Sequence, residues 1–443
     1  VFGSARRGFR VGLPRTDEAA VGPKEATLRR LWVFIAILVT LCAASGQKVD
    51  FTGHKVIRAY LTKPSQLDRI EQAHIDIWTE NAGVGPLDLR VSPKQLRLVE
   101  QWRIPYFVLI EDVQRVIDEQ AAEVRGQGMF DDYMDLDALN AQLAQWEADY
   151  PQICKRFQFG TAVEGRPMYG LKITSGLQIS ENYGMRKPGV FFHGLIHARE
   201  WIAGATVMYI ANYLLQGYGV DRLATNVVNH MEIYCAPCVN PDGYSYSWTN
   251  NRMWRKNRRY NGGGSYGVDL NRNFGYGWGG LGSSGSPSSE TYRGPSPFSE
   301  PETQAIRDLI LDNPSINGYL DYHSYSQLVM YPWGYTSTLP PDNAIYYAET
   351  GRMSDIIYHV HGKYYDYGPI YTTIYPASGV SVDWGYGEGG TMAITIELRD
   401  TGQYGFLLPP SQIIPNCEEN LPAALDYAMW VYELSRPAEV RKR

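Results

Sequence analysis

The stretch KPGVFFHGLIHAREWIAGATVMYIANYLLQGY, Lys187 to Tyr218, joins a short apolar run to a long apolar segment through a polar turn. KPGVFFHGL reads as a buried strand, and WIAGATVMYIANYLLQGY as a strongly apolar helix. A buried strand feeding a helix is the repeating unit of an α/β sheet with helices on its faces. Between the two, His197 stands three residues before Glu200. That spacing suits two ligands of one metal ion, and equally two polar residues at the mouth of a strand.

Outward from there the alternation of strands and helices continues, from Asp131 to the C-terminal region. MEIYCAPCVNPDGY reads as a strand running into a turn, and INGYLDYH as a strand that His323 follows. TMAITIELRDTGQYGF is an alternating strand with Glu397 near its end. Tyr260–Pro301 is a loop rich in Gly, Ser, Tyr and Trp, and a loop of that length is expected to be functional or mobile. The chain contains no internal repeat and no N-x-Ser/Thr sequon.

Upstream, HKVIRAYL, LDLRVSP and YFVLIED read as strands. SQLDRIEQAHI and PKQLRLVEQWRI between them, and DVQRVIDEQAAEVRG after the last, have helical spacing. They form a small unit that ends in a polar connector carrying Arg125. A small domain on a cleavable linker is expected to be a pro-segment; a permanent accessory domain is the alternative. Farther upstream, Leu31–Ala44 is an apolar run between Arg29–Arg30 and Ser45–Gly46. It is shorter than the roughly 18–20 residues of a spanning helix, so a signal peptide is expected, with an uncleaved signal anchor as the alternative. Residue 1 is Val and the first Met is Met129, so residues 1–46 are expected to be a leader of doubtful origin plus that signal peptide.

A chain of 443 residues suggests two or three units. Its 44% hydrophobic and 20% charged content is that of an ordinary globular protein. A net charge of -6 with no basic block gives no support for nucleic-acid binding. Cys42 lies in the apolar run, leaving Cys154, Cys235, Cys238 and Cys417. An even number suits an oxidising compartment, and four cysteines allow three pairings, all left open. Cys235–Cys238 spells CAPC, with no second CxxC to complete a zinc site, and Val239 excludes a haem attachment signature. Structural cysteines are expected.

The His197–Glu200 pair alone is a weak motif. It gains weight because it follows a strand, at the edge where α/β sheets place ligands, and because His323 supplies a third donor. Two His and one Glu, with a fourth position left to water, form a known catalytic zinc set, whereas structural zinc recruits four protein ligands. No H-E-x-x-H occurs. His359 and His361 would share a face on a strand, without a nearby carboxylate, and His193 reads as a mid-strand core imidazole. NRMWRKNRRY gathers cations around Trp254, with a solvated basic loop as its plain reading. GVDLNRNFG carries Asp269, Asn271 and Arg272, with a turn as its plain reading. Glu397, flanked by Ile396 and Leu398, is costly to bury unless paired or useful.

HARE-W, N-R-x-W-R, V-D-x-N-R-N, H-S-Y-S-Q, T-T-I-Y-x-A-S-G and I-E-L-R-D-T-G occur in this order. Together they resemble the zinc metallocarboxypeptidases of the pancreatic A/B type with their pro-domain, from about His54 to Pro437. The resemblance implies an α/β catalytic domain (residues 126–437, with a tail at 438–443) built on a mixed β-sheet flanked by helices. A small ferredoxin-like α+β pro-domain, residues 47–125, would precede it and cover the cleft of a zymogen. It implies one Zn2+ held by His197, Glu200 and His323, with Asp269 fixing the tautomer of the first His. Glu397 would take a proton from the attacking water and pass it to the leaving amine, and Arg255 would polarise the scissile carbonyl.

Arg272, supported by Asn271, would hold the substrate's terminal carboxylate, with Tyr375 closing over it. Arg199, Tyr325 and Phe406 match outer-subsite positions. In this family a carboxylate at the position of Val382 selects Lys and Arg. The neutral Val382, with Ile370, Val380 and Thr395, implies apolar aromatic or aliphatic C-terminal residues. The vertebrate members' disulfide in the long loop has no counterpart in Tyr260–Pro301. The expected protein is therefore a secreted, extracellular monomer without stable membrane association. It would be activated by a trypsin-like protease near Arg125 and act on peptides or proteins with a free C-terminus. Basic or acidic specificity is one alternative. A binding protein without catalysis is another, against which the intact Glu397 and Arg255 argue.

Overall fold

A computed structural model describes residues 48–79, 84–122, 128–178 and 186–436. The Leu31–Ala44 run and Arg125 lie outside the described residues.

The N-terminal strands are β1 (Lys55–Leu61), β2 (Asp76–Ile77), β3 (Gly85–Val91) and β4 (Tyr106–Ile110), in the antiparallel order β2-β3-β1-β4. With helices Pro64–Gln72 and Pro93–Gln101 this is the ferredoxin-like α+β unit. The two-residue β2 is too short for periodicity to reveal. Ser92 starts the second helix: its hydroxyl accepts from Gln95 N, and the Gln95 side chain returns to Ser92 N. Alternation along β1 divides its side chains between two faces. Ile57, Ala59 and Leu61 pack with Ile70 and Val99 of the helices. Val56, on the opposite face, joins Trp78, Ile110, Met253, Tyr325, Phe406 and Leu407, so this face packs on the rest of the chain.

The main sheet contains β5 (Cys154–Thr161), β6 (Pro167–Ile173), β7 (Gly189–His193), β8 (Glu232–Ala236), β11 (Ile316–Ser324), β12 (Leu328–Tyr331), β13 (Asp366–Pro369) and β14 (Met392–Leu398). A hairpin, β9 (Tyr260–Gly262) and β10 (Ser265–Tyr266), stands apart. The order is β13-β12-β14-β11-β7-β8-β6-β5. Its centre, β14-β11-β7-β8, is parallel, and both flanks attach antiparallel. β7 and β8 are buried at every position, as strands covered on both faces must be. Val190, Phe192, Leu320, Tyr322, Ile394 and Ile396 pack with helices Trp201–Gly217, Asn343–His361 and Ile413–Ser435. Phe191, Tyr319 and Ala393 face the other way, toward helix Pro301–Asp312 and the Ile370–Trp384 region.

Several local readings changed. After β8 the chain forms helix Pro241–Thr249, where a turn was expected; Pro241 fits its first turn and the Asn240 side chain caps Gly243 N. His359 and His361 lie in the last turn of helix Asn343–His361, not on a strand, and positions two apart on a helix do not share a face. His359 bonds the Asp355 carbonyl, and His361 does have a carboxylate partner, Glu418 at 3.0 Å. Cys154, Cys235, Cys238 and Cys417 are all buried free thiols, so none of the three pairings is present.

The loop Tyr260–Pro301 holds together without a disulfide. Asn273 Nδ2 donates to the carbonyls of Arg293 and Ser296 and to Ser299 Oγ at 2.9–3.0 Å. Trp278 Nε1 donates to Arg293 O, and Lys256 Nζ to Ser289 O.

Candidate active site

The carboxyl ends of the parallel strands deliver the charged residues, as open α/β sheets do. After β7 the chain turns through Leu195, held at φ 55, and presents His197 and Glu200 before helix Trp201–Gly217 begins. A non-glycine residue in this conformation is strained, and such strain is tolerated where surrounding packing fixes it. His323 and Glu397 are in β11 and β14 themselves, one residue from each strand's end. His193 ends β7 rather than lying mid-strand.

His197, Glu200 and His323 offer donor atoms all within 4.8 Å of one another, and all three are buried. His197 Nδ1 is 2.8 Å from Glu200 Oε1, His323 Nδ1 is 3.1 Å from Glu200 Oε2, and the two Nδ1 atoms are 3.1 Å apart. Two imidazole nitrogens and a carboxylate converging on one point fit a zinc ion by donor type. Burial raises the Glu200 pKa, but His197 and His323 outweigh it and bring it below the ordinary value.

Each outward imidazole nitrogen meets a buried carboxylate. His197 Nε2 is 3.1 Å from Asp269 Oδ1, and His323 Nε2 is 3.0 Å from Asp321 Oδ2. Against the upward pull of burial, Arg255, Arg272 and His197 hold Asp269 well below the usual carboxylate range. Asp321 did not figure in the sequence reading. Its signal was present, a carboxylate two residues before a candidate ligand and therefore on the same face of the strand.

Arg255 reaches Asp269 Oδ2 through Nε (3.2 Å) and Nη2 (3.1 Å), with Nη1 3.8 Å from Glu200 Oε1. Arg272 donates through Nε to Gly282 O, through Nη1 to Asn271 O and through Nη2 to the Tyr375 hydroxyl at 3.2 Å. Gly282 has φ +73, and a Cβ there would fall 1.8 Å from Pro376 O, so glycine is required beside Arg272. The Asn271 Oδ1 accepts from Ser381 N, which turns its Nδ2 toward His323 Nε2 at 3.2 Å. Glu397 is buried on the same sheet face, beside His323.

Val382 packs in one apolar cluster with Ile370, Ala377 and Val380, and Thr395 is buried. The two carboxylates bordering this segment have partners. Asp321 accepts from Ser381 Oγ, and Asp383 accepts from Gly334 N and Tyr335 N.

The N-terminal unit covers Arg199, Tyr325 and Phe406. Arg199 Nη1 is 3.1 Å from Asp76 Oδ1, and the Tyr325 hydroxyl donates to Asp88 Oδ2 at 3.0 Å. Trp78 meets Phe406 edge to face at 5.1 Å between ring centroids. Asp88 also takes two bonds from Arg58, at 2.6 and 2.8 Å, while Arg58 Nη2 reaches Thr401 O. Asp76, Trp78 and Asp88 escaped the sequence reading, because nothing local marks a cross-domain contact.

Residues 139–423 match the zinc carboxypeptidase family, and residues 61–120 match the carboxypeptidase activation peptide. Carboxypeptidase A1 of Rattus norvegicus is 36% identical over 419 residues, spanning 90% of this chain and 97% of that protein. Carboxypeptidase A5 of Homo sapiens is also 36% identical, spanning 90% and 94%. Among solved structures, thrombin activatable fibrinolysis inhibitor superposes with TM-score 0.79 at 31% identity, covering 86% of this chain and 100% of that one. Carboxypeptidase A from Helicoverpa armigera superposes with TM-score 0.77 at 26% identity, covering 88% and 99%. With its activation peptide and its His-Glu-His group, the chain belongs to the zinc carboxypeptidase family.

Proposed function

We propose that this zymogen, once cleaved, removes apolar aromatic or aliphatic residues from the C-termini of peptides. The observation that carries the reading is the convergence of His197, Glu200 and His323 beside Glu397 and the Arg272–Tyr375 pair. His197, Glu200 and His323 would hold the zinc, which when bound would supply Lewis-acid polarisation of the scissile carbonyl and an activated water. Glu397 accepts the proton of the attacking water and delivers it to the leaving amine. Arg255, fixed by Asp269, adds a guanidinium to the developing oxyanion.

Arg272 takes the terminal carboxylate, which competes for the N–H now given to the Tyr375 hydroxyl, and Asn271 supports it from the next position. An internal peptide bond offers no such anion, which favours cleavage at chain ends. Val382, Ile370 and Val380 line the side-chain pocket; nearby, Asp383 is held by Gly334 N and Tyr335 N, and Asp321 accepts from Ser381 Oγ. An apolar C-terminal residue therefore suits the pocket better than a cation. Arg199, Tyr325 and Phe406 bind residues farther up the peptide, and the Asp76, Asp88 and Trp78 contacts keep them occupied before activation.

The domain boundaries follow: signal and leader to residue 46, pro-domain 47–125, catalytic domain 126–437 and tail 438–443, with cleavage by a trypsin-like protease near Arg125. The enzyme acts as a secreted, extracellular monomer. The apolar run Leu31–Ala44 supports secretion, and among the described residues no helix is long and apolar enough to cross a membrane. The test is trypsin treatment followed by incubation with peptides ending in Phe, Leu, Lys or Glu. Release of Phe and Leu, abolished by a zinc chelator, is expected; no release from any of them refutes the reading.

A further inference from the structure

We propose that Asp321 is a positioning residue for the metal centre, doing for His323 what Asp269 does for His197. The proposal rests on the reading of His197, Glu200 and His323 as zinc ligands. Both imidazoles turn Nδ1 inward, 3.1 Å apart, and Nε2 outward onto a carboxylate. A ligating imidazole must be neutral with its free lone pair aimed at the metal, and a carboxylate on the other nitrogen fixes that tautomer and raises ligand basicity.

Two groups lie against His323 Nε2, the Asn271 amide and the Asp321 carboxylate. Asn271 Nδ2 also lies 3.2 Å from that nitrogen, but Ser381 N occupies the Asn271 Oδ1, so the amide turns a donor to the ring. It cannot take the ring proton. Asp321 Oδ2, at 3.0 Å, can.

Asp321 is itself built in. It is fully buried, and Ser381 Oγ donates to it. Its register partner across the parallel pair β7–β11 is His193. The Tyr319 hydroxyl sits 2.6 Å from His193 Nε2, and with that hydroxyl as donor the proton of His193 is on Nδ1. That nitrogen lies 3.4 Å from Asp321 Oδ1, with no hydrogen bond between the two. Ser381 thus orients the carboxylate toward the ligand ring, with the buried His193 beside it on the neighbouring strand.

The test is zinc affinity, measured on the full chain by competition with a chromogenic chelator. The variants are Asp321→Asn, Asp321→Ser, Asp269→Asn and His323→Ala, and each is checked for wild-type thermal unfolding. Asp321→Asn keeps the volume and an acceptor but removes the charge, so it carries the test if the Ser variant does not fold. Asp321→Asn is expected to weaken zinc binding about 10–100-fold, as Asp269→Asn does. It should also shift the visible bands of the Co2+-loaded protein, which a purely structural role would leave in place. Zinc affinity and Co2+ bands unchanged in Asp321→Asn, while His323→Ala loses zinc, would overturn the proposal and leave the ligand reading standing. Unchanged zinc affinity in His323→Ala would overturn both. An Asp321→Asn protein that keeps zinc but loses activity toward C-terminal Lys would assign Asp321 to the substrate and refute the positioning role.

Discussion

His323 and Glu397 are register partners on adjacent parallel strands, β11 and β14, each one residue from its strand's end. Register partners point to the same face, so sheet geometry brings a candidate ligand and a candidate base side by side without help from a loop. A site built on strands holds its spacing better than one built on mobile segments. Two separated sequence motifs thus become one chemical unit.

Glu397→Gln tests the role of the base. The amide keeps the shape and cannot accept the proton, so kcat should fall by about 10²–10⁴-fold with KM nearly unchanged. Zinc content, measured on the same protein, should stay at that of the wild type. Turnover equal to wild type would remove Glu397 from the chemistry.

Arg272→Ala tests recognition of the chain end. A charge-assisted hydrogen bond contributes about 1.5–3 kcal/mol, so kcat/KM on a free-carboxylate peptide should drop by about 10–150-fold. The preference for the free acid over the matching C-terminal amide should shrink by the same factor. Arg272→Lys should recover only part of it, because a point charge lacks the planar fork. A preference unchanged in Arg272→Ala would place carboxylate recognition elsewhere.

Val382→Asp tests the pocket. The new carboxylate would stand unpaired among Ile370, Ala377 and Val380, lowering stability by about 1–3 kcal/mol. A C-terminal Lys would supply its partner, so the Lys/Phe ratio of kcat/KM should rise at least about 10-fold. No rise would remove Val382 from side-chain selection.

Asp76→Asn tests the cover over the cleft. Burial raises the Asp76 pKa, but Arg90 and Arg199 outweigh it, and the pKa is lowered. A depressed carboxylate stabilises fully above its unfolded value of about 3.9 and loses that contribution as pH falls through the lower folded value. At pH 7 the variant's Tm should lie about 2–5 °C below wild type, with the two curves converging as the pH falls through the lowered folded value. The uncleaved variant should also show more activity than the uncleaved wild type. Equal Tm across the whole pH range would show that the Asp76–Arg199 pair contributes nothing to the cover.

Much of this was legible in the sequence, because strand periodicity and short motifs are local. Phe191, Tyr319 and Ala393 alternate with their neighbours as the pattern requires, and that alternation sends His323 and Glu397 to one face. What stayed hidden was set by tertiary contact. Asp321 reads locally as one polar residue in a buried strand, and only the β7–β11 register puts His193 against it. Asp76 and Trp78 act across a domain boundary on Arg199 and Phe406. IYHVH imitates strand alternation, yet Gly362, at φ 67, marks it as the end of a helix.

The most direct measurement is kcat/KM of the trypsin-treated protein on one peptide ending in Phe, in Lys, or in Phe-amide, with and without a zinc chelator. The expected result is release of Phe, at least about 100-fold slower release of Lys because an unpaired cation must enter an apolar pocket, and at least about 10-fold slower release from the amide. All activity should vanish on chelation and return with Zn2+. Lys released as fast as Phe, the amide cleaved as fast as the free acid, or release that survives chelation would contradict it.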